Sequence, residues 1–340
     1  MQIVKKMKQF FLNQSDMYRF YEKEYHKNKS INKEVKNNTK QLKKLEKDFI
    51  NYKKYNENII NSYHRLLNNL FIYNKVEPKR LVQLSHELTM QLLDFVNNVC
   101  EKHDLQWWMF AGTLLGAFRH EGFIPWDDDC DINMIREDYE SFFKIFPLEI
   151  EKYNLSDCIE INATTMTPTG YYLPFLKVNY WFDQEADELL TFLDIFPVDY
   201  LEDEIPDYVS KHKNEHQVII KKLLDGQDRD TVINESSKKL HITQNKTNLL
   251  TNGVEDPGFE TINKYDDIFP LTSLKFENRV YPCPNKPDLY IEKLYGKNFR
   301  QIPKISRDHG HYEYISKQED IYTKLEDAIA KLQKVNDDFK

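Results

Sequence analysis

Residues 110–138 read FAGTLLGAFRHEGFIPWDDDCDINMIRED, and four acids, Asp127, Asp128, Asp129 and Asp131, crowd into five positions of that stretch. Like charges this close repel, so an ordered segment needs something cationic among them. Read as a strand, the run sends Asp127, Asp129 and Asp131 to one face and Asp128 and Cys130 to the other. A hard divalent cation, Mg²⁺ or Mn²⁺, held by one or two carboxylates plus substrate phosphate oxygens, suits that arrangement. A solvated acidic loop is the plainer alternative. Aromatic and apolar residues bracket the run on both sides and argue for burial.

Working outward, Trp107 to Ala111 is a short apolar strand candidate that runs into Gly112-Thr113. Those two residues start a tight turn into a helix over Leu114 to His120, and the free N–H groups of a helix N-terminus suit a phosphate. Arg119 near the end of that helix is either the counter-charge for a diphosphate or an ion pair that neutralises the acids. His120 reads as structural. Lys177, in YLPFLKVNY, alternates with apolar neighbours; a phosphate-binding charge and an edge-strand lysine look the same at this level. Asp194 is a single acid in the apolar run LLTFLDIFPVDYL. An unpaired buried carboxylate is costly, so an acid there is expected to be paired or metal-bound. With Asp129 and Asp131 it completes a three-carboxylate set on neighbouring strands, and Asp199 reads as a cap or turn residue.

The whole chain has 340 residues and a net charge of −8, enough length for one large domain or two modest ones. The average hides a division. Residues 1–82 carry 19 Lys/Arg against 8 Asp/Glu, a surplus of 11, which leaves −19 on the remainder. A basic arm suits an anionic membrane surface, nucleic acid or an acidic partner, or is simply a solvated lysine-rich face; an acidic body disfavours nucleic-acid binding. Cys100, Cys130, Cys158 and Cys283 are widely spaced without a CxxC pair, against a disulfide framework or zinc site. Cys130 is best read as a small buried thiol, since its anionic neighbours raise a thiol pKa. No apolar run reaches eighteen residues and no signal peptide is evident, so a cytoplasmic location is expected, with peripheral contact at the inner face of the membrane open.

Residues 1–30 mix Ile3, Val4, Met7, Phe10 and Phe11 with lysines, as an interfacial amphipathic helix or a helix packed on the body would. From Ile31 a strict 3,4 spacing runs through Val35, Asn38, Leu42, Leu45, Phe49, Tyr52, Asn56, Ile59, Tyr63, Leu66 and Leu70 to Tyr73. Held over about six heptads, that spacing predicts a coiled-coil stalk over 31–77 and a homo-oligomer through 31–73; a long helix folded back on its own surface is the alternative. Pro78 ends the pattern and makes 74–80 the expected hinge, with the body at 78–340. Within the body, helices are expected over Arg80–His103, from Arg136-Glu137-Asp138 onward, over 204–225, loosely over 230–256, at LYIEKLYGKNF up to Gly296 and over 312–340. Strands are expected at Ile159–Ala163, Tyr171–Tyr180, Leu189–Phe196 and from Phe269-Pro270 to Pro287. Arg307, Asp308, His309 and His311 follow; the two histidines could reach a phosphate or acceptor, but read more simply as solvent-exposed loop residues.

With these residues in hand, the chain resembles the LicD family of phosphotransferases, whose wider relatives include fukutin and fukutin-related protein. The likeness rests on GTLLGAFRHEGFIPWDDDCDINMIREDY (Gly112 to Tyr139), FLDIFPVD (Phe192 to Asp199) and PDLYIEKLYGKNF (Pro287 to Phe299) with its trailing histidines. It implies an α/β (α+β) nucleotidyltransferase-like fold, a mixed sheet flanked by helices, with a long coiled-coil helix before it. It also implies metal-dependent transfer of phosphocholine, or of glycerol or ribitol phosphate, from a CDP-linked donor to a sugar hydroxyl on a glycan acceptor, lipid-linked in this class. Carried onto this sequence, divalent metal falls on Asp129, Asp131 and Asp194 with Asp127 in support, and Gly112, Thr113 and Lys177 contact the donor phosphates. The family often ends in adjacent histidines; here Gly310 separates His309 from His311.

Two rivals remain. Asp129-Cys130-Asp131 is also a DxD sequence, as in metal-dependent glycosyltransferases, though such folds need roughly a hundred residues of nucleotide-binding α/β structure before it, where this chain has helices. A non-catalytic coiled-coil scaffold is the other, with intact acidic ligands arguing against it.

Overall fold

The apolar run that holds Asp194 folds as the long central strand of a mixed sheet. The computed structural model describes residues 2–72, 80–166, 172–256, 258, 261–303 and 311–339. Tyr73, Pro78, most of the expected hinge, Arg307, Asp308, His309 and Gly310 lie outside the described residues, as do the side chains of Ile3, Phe10 and Phe11. The first elements are α1 (Gln2–Phe71), α2 (Arg80–Lys102), β1 (Trp107–Met109), α3 (Ala111–His120), β2 (Cys130–Ile135), α4 (Arg136–Lys152) and β3 (Ile159–Asn162). Next come β4 (Thr165–Met166), β5 (Tyr172–Leu173), β6 (Leu176–Asp183), β7 (Glu188–Leu201), α5 (Tyr208–Leu224), α6 (Arg229–Lys239), β8 (Ile242–Thr243) and β9 (Leu249–Asn252). The chain continues through β10 (Ile262–Lys264), α7 (Tyr265–Ile268), β11 (Thr272–Phe276), β12 (Arg279–Cys283), α8 (Pro287–Tyr295), α9 (His311–Ile315) and α10 (Ile321–Asp338).

Two compact units divide the chain, Met1–Leu66 and Leu67–Lys340. The first is helical: residues 2–30 and the 3,4-spaced stretch as far as Leu70 belong to one helix, α1, of 70 residues. No helix among the described residues is long and apolar enough to cross a membrane. In the second unit the last turn of α1 is anchored: Asn68 Oδ1 accepts from the Ile302 N–H at 3.1 Å, and Phe71 meets Trp126 edge-on at 5.5 Å.

The main sheet runs β1-β2-β7-β6-β3, with β8 and β9 on the second half of β7 and β10 on β9. β2 and β7 are parallel, while β1, β6, β8 and β9 pair antiparallel. Alternation along β7 separates the faces. Thr191 points to α2, where its hydroxyl meets that of Thr89 at 2.6 Å, so Asp194, three residues on, points to the opposite face. On the first face α2, α4 and α10 pack through Phe95, Phe146 and Phe339. On the second, Phe196 of β7 meets Phe110 edge-on and Phe175 at a tilt, and Asn133 of β2 donates to the Tyr290 hydroxyl of α8. A smaller core, with Ile219, Leu223 and Val232, joins α5 and α6 to β8 and β9.

Local chemistry explains most boundaries. Pro287 opens α8 and Gly296, at φ 78°, closes it. Asp228 caps α6 by accepting from the Thr231 N–H at 3.0 Å. Four expectations are corrected. Asp127, Asp128 and Asp129 do not lie in a strand, because Pro125 sits second in a turn closed by the Asp127 N–H to the Ile124 carbonyl at 2.9 Å, and β2 starts only at Cys130. Residues 230–256 are helical only to Lys239, and Leu249–Asn252 extends the sheet. The stretch after Phe269 is a hairpin, β11–β12, turned at Glu277 with φ 55°. Residues 312–340 form two helices rather than one.

Asp199 is neither a cap nor a turn residue. It lies buried in β7 and receives Arg136 from the start of α4, Nε to Oδ1 at 2.8 Å and Nη2 to Oδ2 at 2.6 Å. The same guanidinium reaches Glu255 at 2.6 and 2.9 Å. Burial alone pulls a guanidinium pKa down, but the charges of Asp199 and Glu255 hold that of Arg136 well above its ordinary value. Removing one member of such a group strands the others without a partner. Arg136→Leu is therefore expected to cost about 3–5 kcal/mol, read as a lower urea midpoint or loss of cooperative unfolding.

Candidate active site

In the register of the sheet, Asp131 of β2 stands opposite Asp194 of β7, and Asp194 stands opposite Lys177 of β6. One row across three strands thus reads acid, acid, lysine. Asp129, one residue before β2, brings a carboxylate to the same place: oxygens of Asp129, Asp131 and Asp194 all lie within 4.8 Å of one another. Asp127, Asp128 and Asp129 form a second group of the same tightness, sharing Asp129 with the first.

Among the described residues, a lysine and a helix N-terminus meet these acids. Lys177 Nζ donates to Asp194 Oδ1 at 2.7 Å, and the ammonium sits 3.5 Å from the centre of the Phe192 ring. The N-terminus of α3 supplies the other partner. Gly112 N–H donates to Asp131 Oδ2 at 3.3 Å, and the Thr113 hydroxyl accepts from the Asp131 N–H at 2.8 Å. Gly112 and Thr113, two of the residues foreseen as phosphate contacts, are therefore engaged with Asp131. Glycine is required at 112 for space: a Cβ there would stand 2.6 Å from Asp127 Oδ2 and 3.6 Å from Asp131 Oδ2. The residue before it, Ala111, adopts φ 40°, a conformation that non-glycine residues rarely take.

Burial, and then the charges of Asp129, Asp194 and Asp127, push the Asp131 carboxyl well above the usual carboxylate range; the Gly112 N–H works the other way. Burial also pushes the Cys130 thiol well up, so it is inert. Crowded carboxylates of this kind take up a proton or a cation. The donor set is all oxygen and fits a hard divalent ion: Asp129, Asp131 and Asp194 would hold it, with Asp127 and Asp128 beside them.

Several neighbours carried no sequence signal. The Asp127 carbonyl accepts from His86 Nε2 at 3.1 Å and from the Tyr312 hydroxyl. His86 in turn stacks flat on Phe123, centroids 3.9 Å apart. Asp128 Oδ2 accepts from the His311 N–H at 3.0 Å, and His311 Nε2 donates to the Leu190 carbonyl at 2.9 Å. His311 is thus buried and structural, not an exposed loop residue. Tyr295, at the end of α8, is 38% exposed as a residue, but shielding of its phenol from water, and then the charges of Asp131, Asp127 and Asp129, push that phenol up. The only hint of it was its place in LYIEKLYG. Arg119 does not point its donors at the acids. They go to the carbonyls of Phe299 (3.1 Å) and Gln301 (3.2 Å) and to His120, and burial draws the guanidinium down to about 10.

Residues 104–225 match the family described as LicD/FKTN/FKRP, nucleotidyltransferase domain. The lipopolysaccharide cholinephosphotransferase LicD of Haemophilus influenzae is 38% identical over 87 residues, 25% of this chain and 33% of that protein. Uncharacterised proteins of Rickettsia typhi and Rickettsia prowazekii are 44% and 42% identical over 57 residues, 17% of this chain and 18% and 21% of theirs. The chain thus spans a third or less of these relatives.

His86 gives the acid-bearing loop a pH dependence. Burial pulls its imidazole from 6.5 to about 4, against the Asp127 carbonyl and the Asp128 charge, so below pH 6.5 the unfolded chain binds the proton that the folded one refuses. This contribution is complete above pH 6.5 and is lost as pH falls toward 4. Between pH 6.5 and 5 it amounts to about 1.5 kcal/mol. Urea unfolding of the His86→Gln protein is expected to show a correspondingly shallower decline over that interval than the parent chain.

Proposed function

We propose, from the match of residues 104–225 to the LicD/FKTN/FKRP nucleotidyltransferase domain, that this protein is a metal-dependent phosphotransferase. It moves a phosphorylated alcohol, phosphocholine or a glycerol or ribitol phosphate, from a CDP-linked donor to a sugar hydroxyl of a cell-surface polysaccharide or teichoic acid precursor. The observation that carries this reading is the set Asp129, Asp131 and Asp194, gathered within 4.8 Å on one sheet face at the N-terminus of α3.

Mg²⁺ or Mn²⁺ held by these carboxylates would neutralise the donor diphosphate and polarise its phosphoryl oxygens. The residues of the chain do the rest. Lys177, fixed by Asp194 and Phe192, presents a cation beside the acids for a phosphate oxygen. Gly112 leaves room and orients Asp131. His86 and Tyr312 hold the backbone of Asp127, and the His311 N–H holds Asp128, so the loop keeps its shape under its own repulsion. One aspartate takes the proton of the acceptor hydroxyl as its oxygen bonds to the phosphorus that carries the alcohol. The bond from that phosphorus to the bridging oxygen breaks, and CMP leaves with the electron pair.

The test is CMP release from CDP-choline, CDP-glycerol or CDP-ribitol with Mg²⁺ and a glycan acceptor. Turnover is expected with one of these donors, with at least ~100-fold loss in Asp129→Asn, Asp131→Asn and Asp194→Asn while circular dichroism is retained. Turnover of a nucleotide sugar instead would favour the DxD glycosyltransferase, and none with any donor the scaffold. Calorimetric titration with Mn²⁺ gives a second readout: binding by the parent chain and its loss in Asp129→Asn.

A further inference from the structure

In a single chain the apolar stripe of α1 faces water: Leu42, Leu45, Phe49 and Tyr52 are 65%, 64%, 67% and 63% exposed. Heptad notation puts Val35, Leu42 and Phe49 at position a and Ile31, Leu45 and Tyr52 at position d. The lysines indicate what covers this face. Of the eight between Lys33 and Lys54, seven fall at b, c and f, turned away from the stripe, and only Lys53 flanks it. A helix that lies on an anionic surface needs its lysines along the edges of the apolar face, where this one has Glu34, Glu46 and Asp48.

A second copy of the helix meets every one of these constraints. In a parallel, in-register pair each g residue faces the e residue five positions later on the other strand. Asp48 then meets Lys53 twice, once in each direction, and Gln41 faces Glu46, so no like charges are opposed in these heptads. Asn38 at d and Asn56 at a each find their own counterpart only in that register, which makes any slipped pairing bury an unmatched amide. The end of the helix agrees. Asn68, at f, is 7% exposed through its contact with Ile302, whereas Leu66 at d and Leu70 at a remain 51% and 45% exposed. Even where α1 is anchored, the stripe is left open.

We propose that residues 31–70 pair with the same residues of a second copy as a parallel, in-register, two-stranded coiled coil. The 340-residue chain at micromolar concentration should have twice its 40.9 kDa mass by light scattering. Leu45→Asp combined with Phe49→Asp should return the monomer mass, while Lys43→Glu with Lys47→Glu, on the outer face, should leave the dimer. The four native cysteines are buried, so Leu42→Cys should cross-link chains under mild oxidation only if position 42 meets itself, as parallel register requires. A monomeric or trimeric parent protein, a dimer that fails to cross-link through position 42, or a monomer that binds anionic vesicles through α1 would each overturn the proposal. All these readouts are masses or binding, independent of catalysis.

Discussion

The site depends on one register, the parallel pairing of β2 with β7 that sets Asp131 against Asp194. A slip of one residue would turn every side chain of one strand to the other face and separate the two carboxylates. The register is held by apolar burial on both faces: Ile132 and Ile195 are paired neighbours on the face of α2, and Phe196 lies against Phe110 and Phe175 on the other. The hydrophobic effect thus does the placing of charges that electrostatics alone would drive apart.

The two ends of this strand pair handle buried charge in opposite ways. At the far end Arg136 sits between Asp199 and Glu255, with Arg229 reaching Glu255 at 3.4 Å, so that two acids are met by two guanidinium groups. At the near end, Asp129, Asp131 and Asp194 gather, and among the described residues Lys177 donates to one oxygen of Asp194. Arg136 with its partners ties α4 to β7 and to the segment after β9, and so closes the sheet where no chemistry is proposed.

Much of this was legible in the residues. The acid run, the single Asp194 in an apolar strand and the capping pair Pro287 and Gly296 carried local signals, and the structure brings the first two together. What escaped had no local signature. Asp199 looks like any acid near a strand end, because Arg136 and Glu255 lie far from it or from each other in sequence, 63 and 119 positions apart respectively. His311 looked solvated because a histidine beside a glycine carries no mark of burial, and only the folded chain sets it against Leu190 and Asp128. The strands β8 and β9 are short and lie in a polar stretch of sequence, so β7 recruits them through backbone pairing that composition does not announce. Pro125, read only as a neighbour of the acids, ends the strand pattern by making a turn.

The loop that carries Asp127 and Asp128 is stitched to segments distant along the chain. His86 reaches it across 41 positions, and His311 and Tyr312 across 183 and 185. Long-range closures of this kind come late in folding, since each must overcome the entropy of the loop it shuts. During synthesis, then, the acid cluster acquires its final shape only after residues 311–312 have emerged, and a partly made chain presents no finished set of carboxylates.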